Sequence, residues 1–238
     1  MYNKIILHIP HSSSDFDFAG QDHMIPIWRS QAEPLIDWYT DELFTSSYDE
    51  RIIPVIFDTC RTLVDVERMC FDPLEEKGLG ITAYLLLPGG DIRNSQEEDI
   101  RYMKKYLDHQ HRLANLLVEH HNSLLIDCHS FRSRPTILQP DASRNQDIDI
   151  CIGFNDDSTK PNEETLAVVE QHFNENGYKV SFNVPFSNSK TVETPAKYKS
   201  LMIEINKSLY MDESTLQKNA AFETLKYHIE SLYKKLLQ

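Results

Sequence analysis

The stretch LLIDCHS at residues 124–130 is a short apolar run that ends in an acid, a histidine and a hydroxyl. In an open α/β sheet, ligands bind in the crevice at the carboxyl ends of the strands. Residues two apart in a strand point to the same face, so Asp127 and His129 would share a side and Cys128 would face away. The stretch therefore predicts a strand whose end forms one wall of a site. A strand that simply runs into a polar turn has the same pattern.

Composition limits the classes of protein to consider. A chain of 238 residues with 40% apolar content suits one large α/β domain, which we expect over residues 1–238. The net charge of −13 argues against a nucleic-acid surface, and no apolar run reaches the length of a membrane span. The N-terminal residues show no signal-peptide pattern, and four cysteines without a CxxC pair suit a reducing compartment. We therefore expect a cytoplasmic protein, whose oligomeric state the sequence leaves open.

Strand-like and helical segments alternate along the chain, as in α/β proteins. The predicted strands cover residues 4–9, 51–57, 124–130, 147–154, 178–184 and 201–206. The predicted helices cover 36–46, a long segment that starts at a cap at Asn94 or Ser95, 161–176 and 212–237, the last with a capping box at Ser214–Gln217. Residues 71–94 form an irregular excursion and a plausible lid.

Polar side chains at strand ends and helix starts suggest a metal site. His11 follows the first strand, and Asp37 and Asp41 lie four residues apart on one face of a predicted helix. Two neutral imidazoles and one carboxylate form a ligand set for catalytic zinc that leaves a position open for water. The candidate ligands are therefore His11, His129 and either Asp37 or Asp41, although a solvated acidic helix face would also explain the two aspartates.

Glu204 lies inside the apolar strand 201–206, where an unpaired carboxylate is costly to bury. Glu204 either pairs with a buried cation or takes part in chemistry. We expect no cation close in sequence and therefore interpret it as a general base. Arg61 and Arg68 belong to an alternating segment that would be extended, and guanidinium groups bind carboxylates with two parallel hydrogen bonds. A charged edge strand that resists aggregation is the alternative for that segment.

The long helix is predicted to bury a stripe that contains His111 or Gln110, and to leave His109 peripheral. The other members of the predicted stripe are Ile100, Met103, Leu107, Ala114, Leu117 and Val118. A buried His111 would be available to a site at the sheet edge.

Several short motifs occur in order along nearly the whole chain. They are IPHS at 9–12, DW at 37–38, Arg61 with DVER at 65–68, Tyr106, His111, IDCHSF at 126–131, NVPF at 183–186, IEIN at 203–206 and LYM at 209–211. In these motifs and their order, the sequence resembles the N-formylglutamate amidohydrolases, also called N-formylglutamate deformylases.

The resemblance implies a three-layer α/β/α fold with a mixed, mostly parallel sheet, similar to zinc exopeptidases and of the phosphorylase/hydrolase-like type. It also implies hydrolysis of the amide bond of an N-acylated amino acid, such as N-formylglutamate, by metal-activated water. One zinc ion per chain is expected, with His11, Asp37 and His129 as ligands. Glu204 corresponds to the catalytic glutamate.

Five further residues receive roles in this picture. Arg61 or His111 would stabilise the oxyanion, while Arg68, Asn183 and Glu67 would contact the substrate. Asp127 would be a neighbour of His129, or a partner of His111 or an arginine, rather than a ligand.

One departure from the family pattern concerns Glu67, because the family block usually reads Asp-x-Asn-Arg. A carboxylate there either pairs with Arg68 or selects a substrate that carries an amine. The alternative function is a catalytically silent sensor of an acidic metabolite on the same fold. A metal-free serine hydrolase using Ser12 or Ser130 would lack the GxSxG turn.

Overall fold

The computed structural model describes residues 2–18, 21–22, 32–46, 49–69, 80–81, 99–134 and 147–237. The strands in these residues are β1 (Lys4–Ile9), β2 (Asp17–Phe18), β3 (Gln21–Asp22), β4 (Ile52–Ile56), β5 (Ser123–Phe131), β6 (Ile150–Gly153), β7 (Val180–Phe182), β8 (Lys199–Asn206), β9 (Met211–Asp212) and β10 (Gln217–Lys218). Six of them form one sheet in the order β4-β1-β5-β8-β6-β7, and its neighbours are parallel except for the antiparallel pair β6–β8. The predicted α/β fold with a mixed, mostly parallel sheet is confirmed.

Helices cover both faces of this sheet. They are α1 (Thr40–Phe44), α2 (Asp99–Glu119), α3 (Glu163–Glu175) and α4 (Phe222–Leu236), with 3₁₀ turns at Glu33–Leu35 and Lys207–Leu209. Leu7 packs in the same cluster as α1, α3 and α4, while its neighbour Ile6 packs with Leu113 and Leu117 of α2. Because successive strand residues point to opposite faces, α2 lies on one side and the other three helices on the other.

Strand β5 is central, and every one of its residues is buried. Parallel strands that are covered on both faces have near-continuous apolar sequences, which is the pattern of residues 124–126. The carboxyl ends of β1, β5 and β8 meet at one edge of the sheet because the three strands are parallel neighbours. The polar end of β5 therefore lies at that edge.

The predicted helix 36–46 is shorter than expected. Tyr39 has a left-handed backbone with φ of 65°, and α1 begins only at Thr40. The backbone N–H of Asp37 instead donates to the carbonyl of His11 at 2.9 Å. Asp37 and Asp41 therefore do not stack on one helical face, and that part of the prediction is wrong.

The predicted buried stripe of α2 is wrong for most of its members, although Leu117 is buried as expected. The helix buries Tyr102, Tyr106, His109, Leu113 and Leu117, whereas Ile100 and Leu107 are 82% and 46% exposed. Burying two tyrosines removes more apolar surface than burying two aliphatic side chains. The Tyr106 hydroxyl also donates to the carbonyl of Arg68 at 2.8 Å. As a result His109 points inward and His111 is exposed.

Two further expectations fail locally. Residues 61–68 form turns rather than an extended segment, with the N–H groups of Leu63 and Val64 both donating to the carbonyl of Cys60. The last helix begins at Phe222, because β9 and β10 form a hairpin in which Ser214 bonds to Asp212. The predicted caps at residues 94 and 95, and the excursion 71–94 apart from residues 80–81, lie outside the described residues.

The remaining helix prediction is accurate. The segment 161–176 contains α3, and Gly177 adopts the left-handed conformation, with φ of 86°, that commonly ends a helix. Among the helices of the described residues, none combines the length and apolar character of a membrane span.

We predict that Asn162→Ala destabilises the fold by about 1 kcal/mol through loss of a helix cap. The Asn162 side-chain oxygen accepts the N–H of Thr165 at 2.8 Å at the start of α3. Asn162→Asp keeps that acceptor and should unfold close to the wild-type urea midpoint. Equal midpoints for the alanine and aspartate variants would contradict the capping role.

Candidate metal centre

His11, Asp37 and His129 meet at the carboxyl edge of the sheet. His11 follows β1 directly after Pro10, and His129 lies near the end of β5. Asp37 reaches them because its backbone is bound to that of His11. All three side chains are buried, at 2%, 3% and 5% exposure respectively. The structure thus brings together two histidines distant in sequence and Asp37, rather than Asp41.

The donor atoms of these residues face one another. Asp37 Oδ2 lies 3.3 Å from His129 Nδ1 and 3.6 Å from His11 Nδ1, and one donor atom of each residue lies within 4.8 Å of the other two. Tetrahedral zinc with bonds of about 2.0–2.1 Å places neighbouring ligand atoms roughly 3.3 Å apart. His11 Nδ1 is buried and has no hydrogen-bond partner among the described residues. The residues present therefore fit a zinc ion.

Two carboxylates fix the orientation of the two imidazoles. His11 Nε2 donates to Asp65 Oδ1 at 2.8 Å, and His129 Nε2 donates to Asp127 Oδ1 at 3.0 Å. A hydrogen bond from one ring nitrogen to a carboxylate is the usual support of a metal-binding histidine, since it leaves the other nitrogen free to coordinate. Both Nδ1 atoms are thereby directed at Asp37. The sequence indicated Asp127 as a neighbour of His129 but did not indicate Asp65.

Burial and neighbouring charges shift the pKa values of His129 and Asp37. Burial lowers the pKa of His129, but the Asp127 charge and the hydrogen bonds to Asp127 and Asp37 outweigh it and hold that pKa well above its ordinary value. Burial raises the pKa of Asp37, but the Lys207 charge and the contacts with both histidines hold it well below its ordinary range. Asp37 is thus a carboxylate ready to bind a cation.

Glu204 lies beside this group on the neighbouring strand. It is the register partner of His129, is 8% exposed, and its Oε2 has no hydrogen-bond partner among the described residues. Burial raises its pKa to about 8, with His129 opposing the shift and Asp37 adding to it. A divalent cation nearby would favour the ionised form. The arrangement can therefore hold or release a proton next to the three donor atoms.

A buried lysine beside the metal centre is a second feature that the sequence prediction missed. Lys207 follows Glu204 by three residues and is 4% exposed. Its Nζ donates to the carbonyl of Ile36 at 2.6 Å and lies 3.5 Å from Asp37 Oδ1. The expectation that no cation lies close to Glu204 in sequence is therefore wrong. The 3₁₀ turn Lys207–Leu209 also folds this lysine back toward the strand end.

Both predicted arginines lie next to the Asp65 carboxylate. Arg61 Nη2 donates to Asp65 Oδ2 at 2.9 Å, and Arg68 Nε lies 3.5 Å from the same oxygen. The backbone N–H of Glu67 donates to Asp65 Oδ1 and so fixes the turn at residues 65–67. Two cations therefore surround the carboxylate that supports His11, and their side chains remain about a fifth to a quarter exposed, at 19% and 25%.

The other predicted site residues lie elsewhere. His111 is on the exposed face of α2, so a role for it in the buried group is not supported. Asn183 accepts the N–H groups of Phe154 and Asn188 with its side-chain oxygen, which closes the loop after β7. Glu67 Oε1 lies 3.0 Å from His8 Nδ1, so this carboxylate faces the core of the sheet.

Comparison with known proteins assigns the chain to a family. The sequence profile of the N-formylglutamate amidohydrolases matches residues 3–211. No curated protein sequence matches the chain. The chain belongs to the N-formylglutamate amidohydrolase family, hydrolases that act on C–N bonds other than peptide bonds.

Two solved structures share the fold. An N-formylglutamate amidohydrolase from Ralstonia eutropha JMP134 is 20% identical with a TM-score of 0.75, and the match covers 99% of this chain and 93% of that one. A gene product of Agrobacterium tumefaciens is 15% identical with a TM-score of 0.61, over 99% of this chain and 92% of that one. At these identities the similarity establishes the fold.

We predict that zinc binding at pH 7 releases protons. A metal and a proton compete for Nδ1 of His129, whose pKa is raised, and a cation lowers the raised pKa of Glu204. The affinity should therefore weaken as the pH falls. Isothermal titration calorimetry in buffers of different ionisation enthalpy measures the number of protons released. Binding without proton release at pH 7 would show that these groups do not meet the metal.

Proposed function

We propose that this chain is a zinc-dependent amidohydrolase that removes the acyl group of an N-acylated amino acid, with N-formylglutamate as the model substrate. The observation that carries the proposal is the buried set of His11, Asp37 and His129, beside which Glu204 Oε2 has no hydrogen-bond partner in the described part of the chain. A purely structural cluster would gain nothing from an unsatisfied carboxylate oxygen at that place. Family membership supplies the reaction class.

His11 Nδ1, Asp37 Oδ2 and His129 Nδ1 would hold one zinc ion. When bound, zinc would supply Lewis acidity, lowering the pKa of a water molecule in its open position and polarising the scissile carbonyl. Asp65 and Asp127 would keep the two imidazoles in the tautomer that offers Nδ1.

Glu204 would carry the proton. Its carboxylate accepts a proton from the attacking water and delivers it to the nitrogen of the leaving amine as the C–N bond breaks. The charges of His129 and Lys207 favour the ionised form of Glu204, while burial favours the protonated form. This opposition keeps the pKa of Glu204 in a range where both steps of the transfer are accessible.

The arginines would handle negative charge on the substrate. Arg61 interacts electrostatically with both Asp37 and Glu204. Because His111 is exposed, Arg61 is the remaining candidate to stabilise the oxyanion. Arg68 is the more exposed of the two and would bind a substrate carboxylate. Asn183 is left out of the substrate contacts because its oxygen already holds two backbone N–H groups.

The alternative of a catalytically silent sensor draws its specific support from Glu67. A carboxylate at this position would oppose an acidic substrate only if it faced the substrate. Glu67 Oε1 lies 3.0 Å from the imidazole of the fully buried His8, which supplies a partner for its charge. This contact removes the specific reason to prefer a silent binding module or a substrate amine.

A cytoplasmic location remains part of the proposal. The described cysteines, Cys60, Cys128 and Cys151, are free and buried. Burial raises the pKa of the Cys128 thiol well above its ordinary value, so it would be a poor nucleophile. These thiols suit a reducing compartment.

The decisive experiment compares wild-type protein with Glu204→Gln after zinc loading. The substrates are N-formyl-L-glutamate, N-acetyl-L-glutamate and a neutral N-formyl amino acid. The wild type should hydrolyse at least one of them, and the variant should lose about 10²-fold or more in kcat because it cannot transfer the proton.

Metal analysis of both proteins provides the control, since Glu204 is not among the proposed ligands and zinc should remain at one equivalent. Hydrolysis by Glu204→Gln at the wild-type rate would overturn the role of Glu204. A wild type that contains zinc but processes no N-acyl amino acid would overturn the proposed reaction.

A further inference from the structure

Behind His129 lies a second buried group that the proposed reaction does not use directly. It consists of His8, Glu67, Asp127 and His109, and we refer to it as the His8 relay. His8 is the register partner of Asp127 on the adjacent parallel strand. Asp127 and His129 lie two residues apart on one strand face, so Asp127 separates His8 from His129.

The contacts of the relay form a chain that ends at the metal centre. Asp127 Oδ1 lies 2.9 Å from His8 Nδ1 and 3.0 Å from His129 Nε2, while its Oδ2 accepts the backbone N–H of Lys190 at 3.0 Å. The Asp127 carboxylate is therefore fixed, with one oxygen shared between two imidazoles.

His8 itself is held from two further sides. Its Nε2 lies 2.9 Å from His109 Nε2, and Glu67 Oε1 lies 3.0 Å from its Nδ1. The Glu67 contact is an ion pair without hydrogen-bond geometry, so the Nδ1 proton of His8 points to Asp127 and Glu67 contributes charge. His8 is fully buried, and burial together with the His8 charge lowers the pKa of His109 to about 2. A neutral His109 can accept the Nε2 proton of His8.

The charge of Glu67 affects how strongly Asp127 interacts with His129. Burial lowers the pKa of His8, but the Glu67 charge and the contact with Asp127 outweigh it and raise that pKa. A protonated His8 with Asp127 as its sole carboxylate would draw the negative charge of Asp127 away from His129. Burial raises the pKa of Glu67, but the charges of Lys190 and His8 outweigh it and lower that pKa, which favours the carboxylate form. This second carboxylate balances His8 and leaves the charge of Asp127 available to the Nε2 proton of His129. An amide at position 67 would supply no such charge.

We propose that Glu67 and His8 are positioning residues of the metal centre: they act through Asp127 to hold His129 with Nδ1 directed at the metal. This inference rests on the proposed function and deepens it. It assigns the unusual carboxylate at position 67 to metal affinity rather than to substrate selection. His109 completes the relay from α2 by fixing the far nitrogen of His8.

The experiment measures the zinc dissociation constant by competition with a chromophoric chelator, for the wild type, Glu67→Gln and His109→Gln. His172→Gln is the matched control, since His172 is a buried histidine on α3 that contacts the carbonyl of His228 instead. Loss of a residue that directly supports a metal-binding histidine weakens affinity by about tenfold or more. Glu67 and His109 act through His8 and Asp127 instead, so we expect a weakening of about threefold or more in both relay variants, and a change of less than about twofold in the control.

A second readout uses the protein loaded with Co²⁺, whose visible absorption reports ligand geometry. The band should shift in Glu67→Gln and stay unchanged in His172→Gln. Urea unfolding of the metal-free proteins identifies any variant that fails to fold, and His109→Gln then carries the test if Glu67→Gln does not fold.

Three results would overturn the inference, and they are distinguishable. Relay variants that bind zinc as tightly as the wild type, but unfold more easily, would mean that the group is purely structural. A second zinc equivalent in the wild type that Glu67→Gln loses would mean that His8, Glu67 and Asp127 are themselves metal ligands. A wild type that binds no zinc would overturn the proposed function and, with it, the relay.

Discussion

The candidate site depends on paired hydrogen bonds from buried histidines to buried carboxylates. Asp65 accepts from His11 and Asp127 accepts from His129, each on the nitrogen that points away from Asp37. A buried carboxylate without such partners would be strongly unfavourable. These pairs therefore stabilise their own charges and, by the same contacts, present two nitrogen donors to a common point.

Two buried carboxylates around the candidate metal centre are paired with cations for the same reason. Lys207 and the two histidines contact Asp37, while Arg61 and Arg68 contact Asp65. Glu204 differs, because its Oε2 lacks a hydrogen-bond partner among the described residues. An incompletely satisfied carboxylate in an otherwise well-paired cluster is typical of a residue that takes part in the reaction.

The sequence was informative wherever local pattern and sheet geometry suffice. Strand ends of a parallel sheet meet at one edge, so His11, His129 and Glu204 could be brought together from the strand assignments alone. The choice of Asp37 over Asp41 required the family resemblance, because Asp37 lies outside the helix and reaches His11 through a backbone hydrogen bond. The rotation of α2 could not be read from aliphatic spacing, since its tyrosines and His109 determine the buried face. Lys207, Asp65 and the contact between His8 and Glu67 depend on turns and on long-range pairing, which leave little trace in sequence.

The measurement that tests this account most directly is anomalous diffraction at the zinc absorption edge from crystals of the zinc-loaded protein. The account predicts one anomalous peak per chain, bonded to His11 Nδ1, Asp37 Oδ2 and His129 Nδ1 at about 2.0–2.2 Å. A peak between His8, Glu67 and Asp127 instead, or no peak at either place in crystals grown with zinc, would contradict it.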